Sequence, residues 1–208
     1  MTPRPEPPIP AAFAYTLAPL VRRHGPRGYA DDADYKPFLR DECGYACVYC
    51  LTREAWLPQG HAALGVEHLD PRSIAAAPAE YDRLAYSCCQ CNSHRGTRAL
   101  PFDPSDGLGA HVENRRDGTI RARTLFGARF ILACGLDRAE LTRFRRLMIE
   151  LLDHLAGTAP ALLRQWLAYP DDLPDLSLLR PPGGNARPEG IARSAFARRA
   201  RGELPETY

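Results

Sequence analysis

Lysine is almost absent from this chain, since Lys36 is the one lysine among 27 cationic residues in 208. Codon bias in a GC-rich genome explains such a composition. A need for arginine explains it equally, because the guanidinium group binds phosphate through two parallel hydrogen bonds, and both explanations can hold. The formal net charge is only +2, so the total charge gives no argument for a nucleic-acid partner and the distribution of charge has to supply one.

Long apolar stretches are also missing. No run of 18 or more apolar residues occurs, which excludes a membrane-spanning helix of ordinary length. The proline-rich residues 1–15 lack the basic region and continuous apolar core of a secretory leader. We therefore expect a cytoplasmic protein without a membrane partner. Apolar residues make up 45% of the chain, which suits a globular protein and is too high for a disordered one.

The seven cysteines do not suit a secreted disulfide framework, because one would be left over. In a reducing compartment, spaced cysteine pairs more often hold a metal ion. Cys47 and Cys50 form one CxxC pair, Cys88 and Cys91 form a second, and together they offer four thiolates to a tetrahedral zinc ion. Two alternatives are buried cysteines that act as small apolar residues and a redox dithiol, for which the usual strand–helix context is missing.

The other three cysteines are weaker ligand candidates. Cys89 lies between two ligands and is expected to point away from them, and Cys134 lies in an apolar run and is expected in the core. Cys43 is an alternative to Cys47, although its spacing fits less well. Because four thiolates leave no open position for water, the zinc ion would be structural, and a catalytic centre would lie elsewhere.

A histidine motif stands between the two cysteine pairs. It reads Gly65-Val66-Glu67-His68-Leu69-Asp70-Pro71-Arg72, and the second pair runs into Asn92-Ser93-His94-Arg95-Gly96. Acidic–His–x–x–Pro followed by CxxC–Asn–x–x–basic–Gly resembles the HNH nuclease family over roughly residues 43–98. The resemblance implies an α+β fold built on a ββα-metal finger with a structural zinc ion bound by the four cysteines of the two pairs.

The resemblance also implies a set of catalytic residues. His68 matches the general base, and Glu67 and Asn92 match the ligands of a catalytic Mg²⁺ or Mn²⁺ ion. The chemistry is consistent with these roles, because neutral imidazole accepts a proton from water and an ion held by oxygen ligands stabilises charge on the phosphate and on the leaving oxygen. We therefore expect a metal-dependent endonuclease that hydrolyses phosphodiester bonds, with double-stranded DNA as its partner.

One position departs from the family pattern. The central asparagine, which orients the histidine, falls on Arg83, and a guanidinium group cannot accept a hydrogen bond. Either a backbone carbonyl or Asp82 then holds His68, with Arg83 free to bind the scissile phosphate, or the site is weakened. The weakened module would be a zinc-bearing protein that binds nucleic acid or another protein.

Three arginines beside the motif are candidates for contacts with a nucleic-acid backbone, namely Arg72, Arg95 and Arg98. The alternative for all three is a solvated charged face. Further arginines near the C-terminal end would add non-specific electrostatic affinity.

The chain divides by composition into an irregular arm over 1–30, the finger over 31–100, a hairpin and helices over 101–170, and a flexible Pro/Arg-rich tail over 171–208. Asp117-Gly118 predicts the hairpin turn, and leucines at helical spacing predict helices over about 138–156 and 160–168. This region more loosely resembles HNH proteins of retron and Septu-type bacterial defence systems, which implies an ATPase partner. The alternative is that the long helix simply packs on the finger.

Overall fold

The structure is a computed structural model, and it describes residues 8–70 and 80–208. These residues form helices and two small sheets, a mixed architecture that is compatible with the predicted α+β class. In chain order the elements are α1 (Lys36–Glu42), β1 (Leu64–His68), β2 (Leu84–Cys88), α2 (Cys89–Arg95), β3 (Val112–Asn114), β4 (Ile120–Ala122), α3 (Leu125–Cys134), α4 (Ala139–Thr158), α5 (Pro160–Trp166), α6 (Glu189–Ala192) and α7 (Ala195–Ala200).

Strands β1 and β2 form an antiparallel pair in which His68 lies opposite Leu84. Strand β2 passes directly into α2, because Cys88 adopts the extended N-cap conformation and its sulfur accepts a hydrogen bond from the N–H of Cys91. Gly96 ends α2 at a φ of 52°, a value that glycine adopts without steric cost. Strand, strand and helix therefore follow one another after the first cysteine pair, and the second pair lies where β2 passes into α2.

The main apolar cluster joins this unit to the helices that follow. Phe38 of α1, Tyr86 of β2 and Phe130 of α3 are all fully buried in it, and Leu141 of α4 and Leu176 also belong to it. Because these side chains come from distant parts of the chain, the strand–strand–helix unit and the region after it share one core. The boundaries drawn from composition at residues 100 and 170 do not separate independent cores.

Helix α4 is the long helix that leucine spacing predicts. Its buried side includes Met148, Ile149 and Leu152, which pack with Phe13 of the arm and Trp56. Other parts of the same chain thus cover much of the apolar surface of α4. This is what the simpler interpretation requires, in which the long helix packs within the protein and not against a partner. No helix in the described ranges is both long and apolar enough to span a membrane.

The predicted hairpin is present as β3 and β4, which pair from Val112 with Ala122 to Asn114 with Ile120. Gly118 takes a φ of 82° in its turn, which a side chain would strain. Buried Arg145 of α4 donates hydrogen bonds to the carbonyls of Gly118 and Leu136 and so fastens the hairpin to the helix.

Residues 171–208 pack against the rest of the protein, which differs from the flexible tail predicted by composition. Leu173 and Leu176 are buried. The N–H of Arg27 donates to the carbonyl of Gly184, and the N–H of Gly183 donates back to Arg27, both at 2.9 Å. The arm and this segment thus cover each other, a pairing across more than 150 residues that local composition cannot reveal.

A buried carboxylate ties the arm and the C-terminal segment to α1. Asp41 accepts hydrogen bonds from Nε2 of His24 at 2.8 Å, from the Tyr45 hydroxyl at 2.9 Å and from the N–H of Ala195 at 2.7 Å, and it pairs with Arg23 at 2.9 Å. Burial alone would raise the pKa of Asp41, but the donors and the Arg23 charge together hold it below its usual value.

We expect Asp41→Asn to lower the free energy of unfolding by roughly 3–5 kcal/mol at neutral pH, because it removes one partner of a buried ion pair. The folded-state pKa of Asp41 is depressed, so its stabilisation is present above the unfolded pKa of about 3.9 and is lost as the pH falls through the folded value. Urea unfolding at about pH 7 and about pH 3 tests this. If the difference in free energy of unfolding between wild type and Asp41→Asn is as large at about pH 3 as at about pH 7, the prediction is wrong. Glu150→Gln, at an exposed position of α4, is the control.

Candidate functional site

The four predicted cysteine ligands meet at one point. The Sγ atoms of Cys47, Cys50, Cys88 and Cys91 all lie within 4.8 Å of one another, and all four residues are buried. The Cys50 and Cys88 sulfurs are 3.8 Å apart. Four sulfurs at about 2.3 Å from a zinc ion form a tetrahedron with edges of about 3.8 Å, whereas a disulfide needs about 2.05 Å. The cluster can therefore hold a metal ion such as zinc.

The surroundings of the cluster suit thiolates. The Thr52 hydroxyl lies 3.2 Å from the Cys50 sulfur, and the Arg138 guanidinium lies 3.8 Å from that of Cys91. Burial raises the pKa of Cys47 well above its usual value, whereas hydrogen bonds from neighbouring thiols lower the pKa of Cys50 well below it. Four thiolates crowded into the interior repel one another, so they need a cation to ionise together.

The first cysteine pair sits in a tight turn held by β2. The N–H of Val48 donates to the carbonyl of Tyr86 at 2.9 Å, and the N–H of Leu51 donates to Cys47 at 2.9 Å. Leu51 has a φ of 63°, a left-handed conformation that costs a branched residue about 1–2 kcal/mol. The two backbone hydrogen bonds hold the turn in this strained conformation. We infer that the position of the two sulfur atoms matters more than the local stability of the turn.

The remaining cysteines lie outside the cluster. Cys89 is exposed, as expected for a residue between two ligands, and Cys134 is fully buried in the main apolar cluster. Cys43 is half-buried and does not belong to the group of four, so it does not replace Cys47. Burial raises the pKa of Cys43 to about 11 and that of Cys134 to about 12, as expected of inert thiols.

We expect the purified protein to carry about one tightly bound zinc ion per chain, and Cys88→Ala/Cys91→Ala to lose both the ion and the folded state, because metal binding at such a site is worth on the order of 10 kcal/mol. Elemental analysis and circular dichroism measure the two effects. Cys89→Ala is a matched control, since it removes an exposed neighbouring thiol and should keep both. A stable wild-type protein without metal would refute the assignment.

His68 has a partner that the motif does not contain. Its Nε2 lies 2.7 Å from Oδ2 of Asp32, which stands in the short 3-10 turn before α1, 36 residues earlier in the chain. A carboxylate only accepts hydrogen bonds, so Nε2 carries the proton and Nδ1 of the neutral ring is left as the base. The side chain of His68 is 18% exposed and that of Asp32 28%, so the pair is accessible to water.

Glu67 precedes His68 in β1, so its side chain points to the other face of the strand, where it is fully buried. Its Oε1 pairs with Nε of Arg95 and accepts a hydrogen bond from the Tyr49 hydroxyl at 3.1 Å. Burial raises the pKa of Glu67, and the Arg95 charge opposes this. Its other oxygen, Oε2, is buried and has no hydrogen-bond partner within residues 8–70 and 80–208. The main role of Glu67 in this structure is therefore to neutralise Arg95 through Oε1, while Oε2 is not used.

Arg95 is turned inward, so the expectation that it contacts a nucleic-acid backbone is wrong for this arrangement. Its side chain is 2% exposed and, besides Glu67, it donates to the carbonyls of His68 and Arg98. A guanidinium group committed to three internal acceptors is not open to phosphate. Its effect is to clamp the end of β1 onto α2, which the sequence pattern could not distinguish from a surface role.

The remaining predicted residues have separate positions. Asn92 of α2 is half-buried and its Nδ2 donates to the carbonyl of Val66 at 3.4 Å, which leaves its amide oxygen uncommitted among the described residues. Arg98 is exposed, although its guanidinium group donates to the carbonyl of His94. Arg72 lies outside the described residues, as does Pro71 of the motif.

The His68 ring pairs with neither of its two expected partners, a backbone carbonyl or Asp82, but with Asp32. Arg83 is exposed and pairs with Glu80 at 3.0 Å, and its carbonyl accepts the N–H of Leu69, so it does not hold the imidazole ring. Asp82 does not hold it either, because its carboxylate binds Arg187 at 2.9 and 3.1 Å. Asp32 takes this role, and no spacing rule could have found it in the sequence.

Comparisons with family models, with curated proteins and with solved structures returned no match. The resemblance to HNH nucleases therefore rests on the motif residues of the sequence alone.

Proposed function

We propose that this protein is an HNH-type endonuclease that hydrolyses phosphodiester bonds in DNA, built on a ββα-metal finger with His68 as the general base. The observation that carries the proposal is the water-accessible pair of His68 and Asp32 at the end of β1. The sulfur cluster supports it, because it fixes the start of α2 beside this strand and so sets the positions of Asn92 and Arg95.

The chemistry follows from the pair. Nδ1 of His68 takes a proton from a water molecule while the water oxygen bonds to phosphorus and the P–O bond to the leaving sugar oxygen breaks. The imidazolium that forms is stabilised by the Asp32 carboxylate at Nε2, which also fixes the ring and its tautomer. Arg95 acts through the backbone, since its hydrogen bond to the His68 carbonyl fixes where the strand ends.

A divalent ion, Mg²⁺ or Mn²⁺, belongs to the same proposal. The amide oxygen of Asn92 and the unpartnered Oε2 of Glu67 are the oxygen ligands that would hold it, and the ion would stabilise charge on the phosphate. Because Glu67 is fully buried, its carboxylate would have to become exposed before an ion bound to it could also contact the substrate. Glu67 already neutralises Arg95, so two cations would share one carboxylate, and repulsion between them predicts a weak site. A role in bacterial anti-phage defence and an ATPase partner remain proposals that depend on the looser resemblance.

Two observations favour a second function, a zinc-bearing module that binds nucleic acid or a protein without cutting. Glu67 is engaged by Arg95, and the family's orienting asparagine is replaced by Arg83. If the ion site does not form, the cluster and the exposed arginines remain as a binding surface. The experiment that follows separates this function from the first.

We expect His68→Ala to slow nicking of supercoiled plasmid by about 10²–10⁴-fold in Mg²⁺ or Mn²⁺, the usual contribution of a general base. Asp32→Asn should slow it by up to about 10⁴-fold, because the amide no longer stabilises the imidazolium or fixes the tautomer of the base. His154→Ala, on the exposed side of α4, is the matched control. If wild type and His68→Ala nick the plasmid at the same rate, His68 is not the general base. If neither protein nicks the plasmid but both bind DNA, the second function is favoured.

A further inference from the structure

The outward face of the β3–β4 hairpin carries basic residues that the proposed site does not use. The pairing of Glu113 with Arg121 places these two side chains on the same side of the ribbon, with Arg115 and Arg123 two positions further along each strand. The opposite side carries buried Val112 and faces the core. The ribbon is therefore apolar inside and arginine-rich outside.

Three guanidinium groups on this face meet one carboxylate. The Glu113 carboxylate contacts Arg123 at 2.6 Å, Arg115 at 3.2 Å and Arg121 at 3.7 Å. Three positive charges against the Glu113 charge leave a surplus of two among these four side chains, and Asp117 in the turn interacts with Arg115 alone of the three. The arginine side chains are 67% exposed at Arg121, 48% at Arg123 and 46% at Arg115, so the surplus faces water.

Stability of the hairpin does not account for three arginines. One cross-strand pair, Glu113 with Arg121, stabilises an antiparallel ribbon, but further like charges on the same face repel each other and destabilise it. Exposed ion pairs of this kind contribute little in any case. A surplus of positive charge that the fold does not need indicates a polyanionic partner.

The face is also held rigidly. The His111 ring, beside the base of the ribbon, stacks on Phe102 at 4.3 Å between ring centroids, and Phe102 stacks on Phe130 of the core at 5.1 Å. Arg145 fastens the turn to α4, as described above. A preorganised surface loses little conformational entropy when it binds.

We propose that the outer face of the β3–β4 hairpin is a second contact surface for duplex DNA, in which Arg115, Arg121 and Arg123 bind the phosphate backbone. The partner named here rests on the proposed function. Arginines at alternate positions of a strand lie about 6.6 Å apart, which spans about two phosphates of one DNA strand along the helix axis. A two-stranded ribbon also has dimensions that the major groove accepts.

Binding of a fluorescent 30-base-pair duplex, measured by anisotropy over a range of salt in the His68→Ala background, tests the proposal without cleavage. We expect Arg121→Ala/Arg123→Ala to weaken binding at least tenfold at about 50 mM salt and to lower the slope of log K against log salt by about two, one unit per phosphate contact. Glu113→Gln should strengthen binding several-fold, a gain that a merely damaged hairpin would not produce.

The matched control is Arg164→Ala/Arg180→Ala, which removes the same charge from exposed positions elsewhere. Thermal melting checks that every variant is folded. Unchanged affinity and slope in the hairpin variant, a loss equal to that of the control, or tighter binding of single-stranded RNA than of the duplex would overturn the proposal. The proposed nuclease function is tested separately by the nicking assay, and it fails if the wild-type protein and the His68→Ala variant nick plasmid equally.

Discussion

Four buried sulfur atoms that lie within 4.8 Å of one another are the constraint on which the rest of the candidate site depends. They join a turn after α1, the last residue of β2 and the first turn of α2. The direction of α2 is thereby set at its first residue, and Asn92 and Arg95 reach β1 because of that direction. The apolar cluster alone would hold the layers together but would leave the rotation of a seven-residue helix poorly defined.

His68 is fixed twice, by different kinds of interaction. Its ring is held by the Asp32 carboxylate from a turn before α1, and its carbonyl is held by Arg95 from α2. The Arg95 charge is itself neutralised by Glu67, so a buried ion pair lies directly behind an accessible imidazole. Such a pair adds little net stability, but removing one partner is costly. The arrangement therefore serves to position one side chain rather than to stabilise the whole fold.

The features that the sequence predicts are those with local patterns. The ligands Cys47, Cys50, Cys88 and Cys91 follow from spacing, the hairpin from Asp117-Gly118, and α4 from leucine periodicity. Asp32 could not be predicted, because its contact with His68 depends on how α1 packs beside the sheet. Charge alone does not tell an inward arginine from an outward one, so the buried position of Arg95 was missed.

The same limit applies to larger segments. Helix α3, Leu125–Cys134, lies where the sequence shows only an apolar run, because nearly every position is apolar and no polar face marks a helical period. The C-terminal segment has the composition of a flexible chain, yet its prolines and glycines form turns that lie against the arm. In both cases tertiary contacts decide the conformation, and composition describes only the local preference.

The exposure of Cys89 has a practical consequence for following this molecule in solution. All seven cysteines lie in the described ranges, and Cys89 alone is exposed, while the others are buried or half-buried. A thiol-reactive fluorophore would therefore attach to the first turn of α2 without removal of any other cysteine. Because Cys88 and Cys91 flank this position, the dye would stand beside the sulfur cluster and its emission would report on that environment in real time.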